Sequence, residues 1–386
     1  MTVHQTFDQT HQARCDDAVH HAPWNSRSEV TGMSRIGQKR ISAARTAFST
    51  RRVDFSLVEH LAAVGRPQSG DLVLARVESI GHHRNLETHA GRRSRLYVGD
   101  EIIVAYGARY APDQFEGVVP DDLGPCDLAA GGGIAARVIA RHSSARAPTR
   151  IVPLGLLADA DGHVLNLDRF RLTDAPRAIR SPIVIAIVGT SMNAGKTTTA
   201  AALIHGLSRA GLKVGAAKAT GTGSGGDIWS MVDAGADSVL DFTDMGHATT
   251  ANVAHEEIER VATGLVDHLS GDGADIIVME IADGLFQKET NALLRSPHFC
   301  ARLSGIIFAA GDAMGAAHGA GWLREHGLPL LAISGLVSAS PLGTRETEEA
   351  TSLPVVNLDA LSDPIFAPKL CLSKGGSIPR GYRSQA

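Results

Sequence analysis

The chain has 386 residues, of which 44% are apolar and 20% charged, with a net charge of −4. That make-up is ordinary for a globular chain long enough for two domains, and it excludes collagen, coiled coil and disulfide scaffold. A balance this close to neutral lacks the basic footprint of a nucleic-acid binder.

Cys15, Cys126, Cys300 and Cys371 lie far apart with no CxxC pair. Reduced thiols in a cytoplasmic protein fit that spacing better than a disulfide framework or zinc ribbon. No run approaches the roughly 18 apolar residues of a membrane span, so no membrane partner is expected. Aromatics are sparse at 4%, so the cores are expected to be built from Val, Ile, Leu and Ala.

Residues 1–53 read as a poorly ordered extension. His4, His11, His20 and His21 sit among Gln, Asp, Ser and Thr without helical or strand periodicity, which suits a solvated tail better than a metal tract. Between Arg27 and Arg52 the basic residues outnumber Glu29, and a solvated basic arm is expected there. Met33 is an alternative start.

Residues 54–175 read as a smaller β-rich domain. A short helix is expected at Ser56–Val64. Short β-patterned runs then follow at Asp71–Ile80, Arg95–Val98, Glu101–Tyr106, Phe115–Val119 and Ala135–Arg141. Turn residues such as Gly99-Asp100 and Gly131-Gly132-Gly133 punctuate them, suggesting a small sheet or barrel. Asp161-Gly162 reads as a hairpin turn. Arg109, Tyr110, Asp113 and Gln114 form a dense polar stretch that offers either a substrate-binding loop or a packed turn.

Residues 181–368 change texture. Ile183–Val188 is a run of five β-branched residues and one Ala, suited to a parallel strand covered on both faces. Similar runs recur at Lys213–Ala217, Ile276–Met279, Ile306–Ala309 and Leu330–Ile333, with helical stretches such as Thr197–Ala210 and Glu256–Leu269 between them. The alternation predicts an α/β domain with a doubly wound, mostly parallel sheet. Residues 369–386 read as a tail.

The strand at Ile183 runs into Gly189-Thr190-Ser191-Met192-Asn193-Ala194-Gly195-Lys196-Thr197-Thr198 and then a helix rich in Ala and Leu. Strand, loop, Gly-Lys-Thr and helix in that order is the context of a phosphate-binding P-loop. Loop N–H groups and the helix N-terminus point at phosphate oxygens, Lys196 neutralises charge, and the Thr197 hydroxyl is a magnesium ligand. Five residues rather than four separate Gly189 from Gly195. In this the loop resembles that of dethiobiotin synthetase and of the cobyric and cobyrinic acid amide synthetases, over roughly residues 181–360.

The resemblance implies two further magnesium ligands. One is an acidic residue after the second strand, and Asp227 follows the Gly-rich segment 221–226. The other ends a central strand, where Ile276–Met279 delivers Glu280, followed by Asp283-Gly284. A carboxylate closing an apolar strand is costly unless paired or metal-bound. Lys196, Glu280 and Asp283 are thus the candidate catalytic residues, and Thr197, Asp227 and Glu280 the candidate metal ligands. Lys218 could face phosphates or an anionic substrate, and the loop Ser334–Pro341 is a candidate adenine site. Asp241, Asp244 and His247 offer polar groups for a substrate pocket, with His247 a candidate general base.

The resemblance implies ATP and Mg²⁺ as cofactors, phosphoryl transfer to a small acidic substrate in a ligase-like reaction, and a homodimer. A nucleotide-dependent switch acting on a protein partner is the alternative from another class. A third reading is the bacterial P-loop family that includes D-glutamate N-acetyltransferase. The chain resembles that family in its β-rich N-terminal domain and long loop, and there the ligand would be another phosphate-bearing molecule such as coenzyme A.

Overall fold

The computed structural model describes residues 30–372 except Ile179. The histidines of the extension and the distal part of the tail lie outside the described residues.

Six strands form an all-parallel sheet, ordered Ser238–Asp241, Val214–Lys218, Ile276–Glu280, Ile183–Gly189, Gly305–Ala309, Leu330–Ser334. The four strands from Val214 to Ala309 in that order are buried along almost their whole length, because helices cover both faces. Leu265, Met279 and Phe308 belong to one core, and Ile185, Leu203 and Val278 to the other. The P-loop strand, Ile183–Gly189, lies between Ile276–Glu280 and Gly305–Ala309, so the chain winds outward in both directions from it. Ligands bind at the carboxyl ends of such strands where the order reverses.

The N-terminal part closes on itself. Thr149–Ala158, Leu72–Ser79, Glu101–Tyr106 and Ile134–Arg141 pair in that order, and Cys126–Ala130 bridges Ile134–Arg141 back to Thr149–Ala158. The result is a small closed barrel, which leaves those strands no free edge. Leu72, Leu74, Ile103 and Ile134 fill one part of its core, and Val104, Tyr106 and Leu128 another. The Asp161-Gly162 turn is a hairpin, with Asp159 N–H on His163 O and Leu165 N–H on Leu157 O.

Four expectations need correction. The extension does not run to residue 53. Val30–Arg35 pairs antiparallel with His60–Gly65, and Gln38–Ala43 is helical. The stretch is polar in composition, but Ile36, Ile41, Phe48 and Val53 are buried. Of the expected solvated arm, Arg27 lies outside the described residues and Arg35 is 83% exposed, but other arginines are tied down. Arg40 pairs with Glu101, Arg45 with Asp100, and Arg51 with Asp241 and Asp244. Ser56–Val64 is not a helix: a 3-10 turn at Phe55–Leu57, capped by Asp54, leads into the His60–Gly65 strand. The tail begins later than residue 369, since a helix covers Phe366–Leu372 and buries Ala367 and Cys371.

The barrel and the parallel sheet are joined by charged contacts. Arg51 Nη2 lies 2.9 Å from Asp241 Oδ1 and 2.6 Å from Asp244 Oδ2, and a second nitrogen meets the Thr243 hydroxyl. Glu87 Oε2 accepts from Ser224 Oγ at 2.7 Å and from Gly225 N–H at 2.8 Å. A carboxylate from the Asn85–Glu87 strand, which pairs with Arg93–Arg95 beside the barrel, therefore sits on the N-terminus of the Gly225–Asp233 helix, where the helix dipole favours negative charge.

Candidate functional site

The sheet register builds the site. Glu280 is level with both Lys218 and Ile187 at the strand ends. Just beyond them the chain turns at Gly189 and re-enters a helix at Lys196. Gly195 caps that helix with φ +98°, and a Cβ there would stand 2.9 Å from Gly335 Cα. Glycine alone permits this left-handed turn against another backbone. Gly335 belongs to the loop after the last strand, where Leu336 N–H donates to Ala194 O at 3.1 Å. The candidate base-binding loop thus packs directly on the P-loop.

Thr197 Oγ1 lies 3.0 Å from Asp227 Oδ1 and 3.1 Å from Glu280 Oε1. These three residues come from different elements, and the structure brings them to one point. Lys218 Nζ pairs with the other oxygen of Asp227. Glu280 is 2% exposed, and its buried Oε2 has no hydrogen-bond partner among the described residues. Hydroxyl and carboxylate oxygens around an unsatisfied buried oxygen suit a hard divalent cation such as Mg²⁺.

Lys196 folds back over the loop, its Nζ donating to Ser191 O at 2.7 Å. Burial lowers its pKa, against the pull of Glu280 and Asp283. Asp283 has φ +63°, and its pKa is raised by burial despite Lys196, Lys218 and Arg109 nearby. Together these groups line a cleft of about 490 Å³. Its far wall comes from the barrel as Arg109, Tyr110 and Gln114, and the loop tip is tethered across by Asn193 Nδ2 to Asp113 Oδ2 at 3.0 Å.

The predicted residues divide accordingly. Lys196, Thr197, Lys218, Asp227, Glu280 and Asp283 converge on the cleft, and Arg109 and Gln114 reach it from the other side. His247 does not. It is 3% exposed with Nε2 bonded to Glu257 Oε1 at 2.7 Å. Burial raises the Glu257 pKa, but bonds from His247 and Arg260 outweigh that and hold it at about 2. Asp241 and Asp244 are likewise spent on Arg51 in the joint. Sequence reasoning missed Arg51 and Glu87, whose partners in the P-loop domain lie more than a hundred residues away and leave no local signal.

A family model for molybdopterin guanine dinucleotide synthesis protein B matches residues 184–289. No curated protein matches the chain. Among solved structures, the chain is similar to the 54 kDa signal recognition particle protein of Aeropyrum pernix K1 in complex with GDP. The identity is 18%, covering 50% of this chain and 47% of that one, with a TM-score of 0.35. The cell division protein FtsY of Thermotoga maritima shares 18% identity over 54% of this chain and 75% of its own, with a TM-score of 0.35. The septum site-determining protein MinD of Pyrococcus horikoshii OT3, complexed with Mg-ADP, shares 16% over 49% and 88%, with a TM-score of 0.32. The chain spans less than half of the signal recognition particle protein. The family match covers the P-loop strand, the Gly-rich segment and Glu280, and marks this part as a P-loop nucleotide-binding domain. Among the described residues no helix is long and apolar enough to cross a membrane.

Proposed function

We propose that the protein is a Mg²⁺- and ATP-dependent enzyme that activates a small acidic substrate by phosphoryl transfer, in the manner of the dethiobiotin-synthetase-like ligases. The observation that carries this reading is the convergence of Thr197, Asp227 and Glu280 beside Lys196 and Lys218, facing a cleft with Asp283 and Arg109 on its rim. Loop N–H groups from Gly189 to Thr198 hold the phosphates. Lys196 exchanges its bond to Ser191 O for phosphate oxygens, and Lys218 adds a second positive charge beside Asp227. Thr197, Asp227 and Glu280 would hold the metal, which when bound neutralises phosphate charge and orients the transferring group. Asp283 stands nearest the substrate side, and the barrel wall limits water in the cleft. Catalysis is then positioning and charge neutralisation.

A nucleotide switch is the second reading, favoured by the tie between Glu87, beside the barrel, and the start of the Gly225–Asp233 helix. That tie would carry a change at Asp227 into the barrel. The acyltransferase-like reading places coenzyme A on the same loop. Phosphate release from Mg-ATP, measured with and without pooled small carboxylic acids, separates them. Stimulation by an acid supports the ligase-like reading, and an unchanged basal rate counts against it. The homodimer belongs to the same proposal and is checked by light scattering of the purified chain.

A further inference from the structure

The cleft does not end at the P-loop. Arg109, Gln114 and Ser224 also line a second lobe of about 410 Å³, walled on its other side by His82, His83, Arg84 and Asn85. Arg109 stands between the two lobes. It is 9% exposed, its Nη2 donates to Gln114 Oε1 at 3.2 Å, and its buried Nε has no partner among the described residues. Among the described residues no carboxylate forms an ion pair with it. Asp283 and Asp113 attract it from a distance, but burial dominates and lowers its pKa. A buried guanidinium without a counter-ion is costly, and its removal from water is offset only by an anion with matching geometry.

His83 supplies a complementary feature. Its Nε2 lies 3.0 Å from Ala129 O, a carbonyl that can only accept, so Nε2 carries the hydrogen and Nδ1 the lone pair. Nδ1 lies 3.8 Å from where a Cβ on Gly131 would stand, and Gly131 lines the lobe. Burial, with help from Arg109 and His82, holds this ring neutral, with a pKa of about 4. Glu87, the acidic group of the lobe, is engaged by Arg93, Ser224 and Gly225.

We infer that this second lobe is the site of the acidic substrate, a small carboxylate whose anionic group is held by Arg109 at the boundary with the P-loop lobe. The inference rests on the nucleotide reading for the first lobe and adds the place and chemistry of the second ligand. The carboxylate takes the Nη donors of Arg109 that Gln114 leaves unused. His83 Nδ1 accepts a hydrogen from a donor group on the same molecule. The carboxylate then sits on the wall, Arg109 and Gln114, that the second lobe shares with the lobe lined by Lys196 and Lys218.

The test is ¹⁵N NMR of the arginine Nε–H groups of the full chain, titrated with acetate and with succinate at constant ionic strength. The Arg109 signal is assigned by its loss in Arg109→Lys, or by its displacement in Gln114→Glu should the first variant not fold. The expected result is a saturable shift of the Arg109 signal with both carboxylates and none with chloride, retained when Mg-ATP saturates the first lobe. No saturable shift, with Mg-ATP binding intact, overturns this inference and leaves the nucleotide reading standing. A shift produced by Mg-ATP alone also overturns it, because Arg109 would then serve the nucleotide phosphates. Absence of Mg-ATP binding together with a carboxylate shift would instead remove the nucleotide reading and keep the anion site.

Discussion

Replacing Arg51 by Met tests whether the barrel and the P-loop domain are held as one unit by their charged joint. The substitution keeps most of the apolar stem and removes the guanidinium that lies 2.9 Å from Asp241 and 2.6 Å from Asp244. Their side chains are 1% and 6% exposed, so two carboxylates would be left facing each other in a nearly dry site. Breaking a buried pair from one side costs about 3–5 kcal/mol. Arg52 remains 3.4 Å from Asp244, which favours the lower end, about 3 kcal/mol. The assay is urea unfolding of wild type and Arg51→Met at about pH 7.5 and about pH 5.

The pH arm has a definite sign. Burial, reinforced by Asp241, raises the Asp244 pKa above its ordinary value even with Arg51 and Arg52 present. A carboxyl whose folded pKa is raised contributes stability at low pH, and that contribution is lost as pH rises through the folded value. Removing Arg51 pushes the value further up, so the cost of Arg51→Met should shrink as the pH is lowered. A loss under about 1 kcal/mol at the higher pH, the range of an exposed ion pair, or an equal loss at both pH values, would refute the reasoning.

Glu280→Gln should leave the metal-free protein as stable as wild type or slightly more so, because it removes a buried carboxylate whose Oε2 has no partner among the described residues. The same variant should lose Mg²⁺-dependent stabilisation by nucleotide, read by calorimetry in matched buffers with and without the metal. Gly195→Ala should destabilise by about 1–3 kcal/mol in thermal unfolding, since its φ is +98° and the new Cβ would press on Gly335 backbone. His83, held neutral with a pKa of about 4 against an ordinary 6.5, makes stability fall as the pH drops below about 6.5 towards 4. The loss by about pH 4 is on the order of 3 kcal/mol. His83→Asn should flatten the urea midpoint over that window, and an unchanged slope would contradict the buried neutral ring.

The P-loop domain was legible because its signals are local. Each buried parallel strand is a short, largely apolar run, and the run at Ile276 ends in Glu280, a carboxylate where apolar side chains should continue. Asp227 was found through the resemblance, which implies an acidic residue after the second strand, while its partners Thr197 and Lys218 are set by the sheet register. The barrel was only half legible. Its strands are short and alternate weakly, and the closure through Cys126–Ala130 depends on pairings that no local pattern encodes. Leu57, Val58, Leu61 and Ala62 mimic a helical stripe, yet only the last two lie in the strand that forms, beside Val30–Arg35. His247 looked available for proton transfer because sequence does not show that Glu257, ten residues on, lies against it. Arg109 was visible as part of a polar loop, but not its burial without a counter-ion between two lobes.

The most direct test of the central claim is a thermal-shift panel of ATP, GTP and coenzyme A, each with and without Mg²⁺, on wild type and Lys196→Ala. Ligand at about 100 times its Kd stabilises the folded state by about 2.7 kcal/mol. The account predicts a magnesium-dependent shift with ATP that disappears in Lys196→Ala. No nucleotide shift, or one produced by coenzyme A alone, would contradict it.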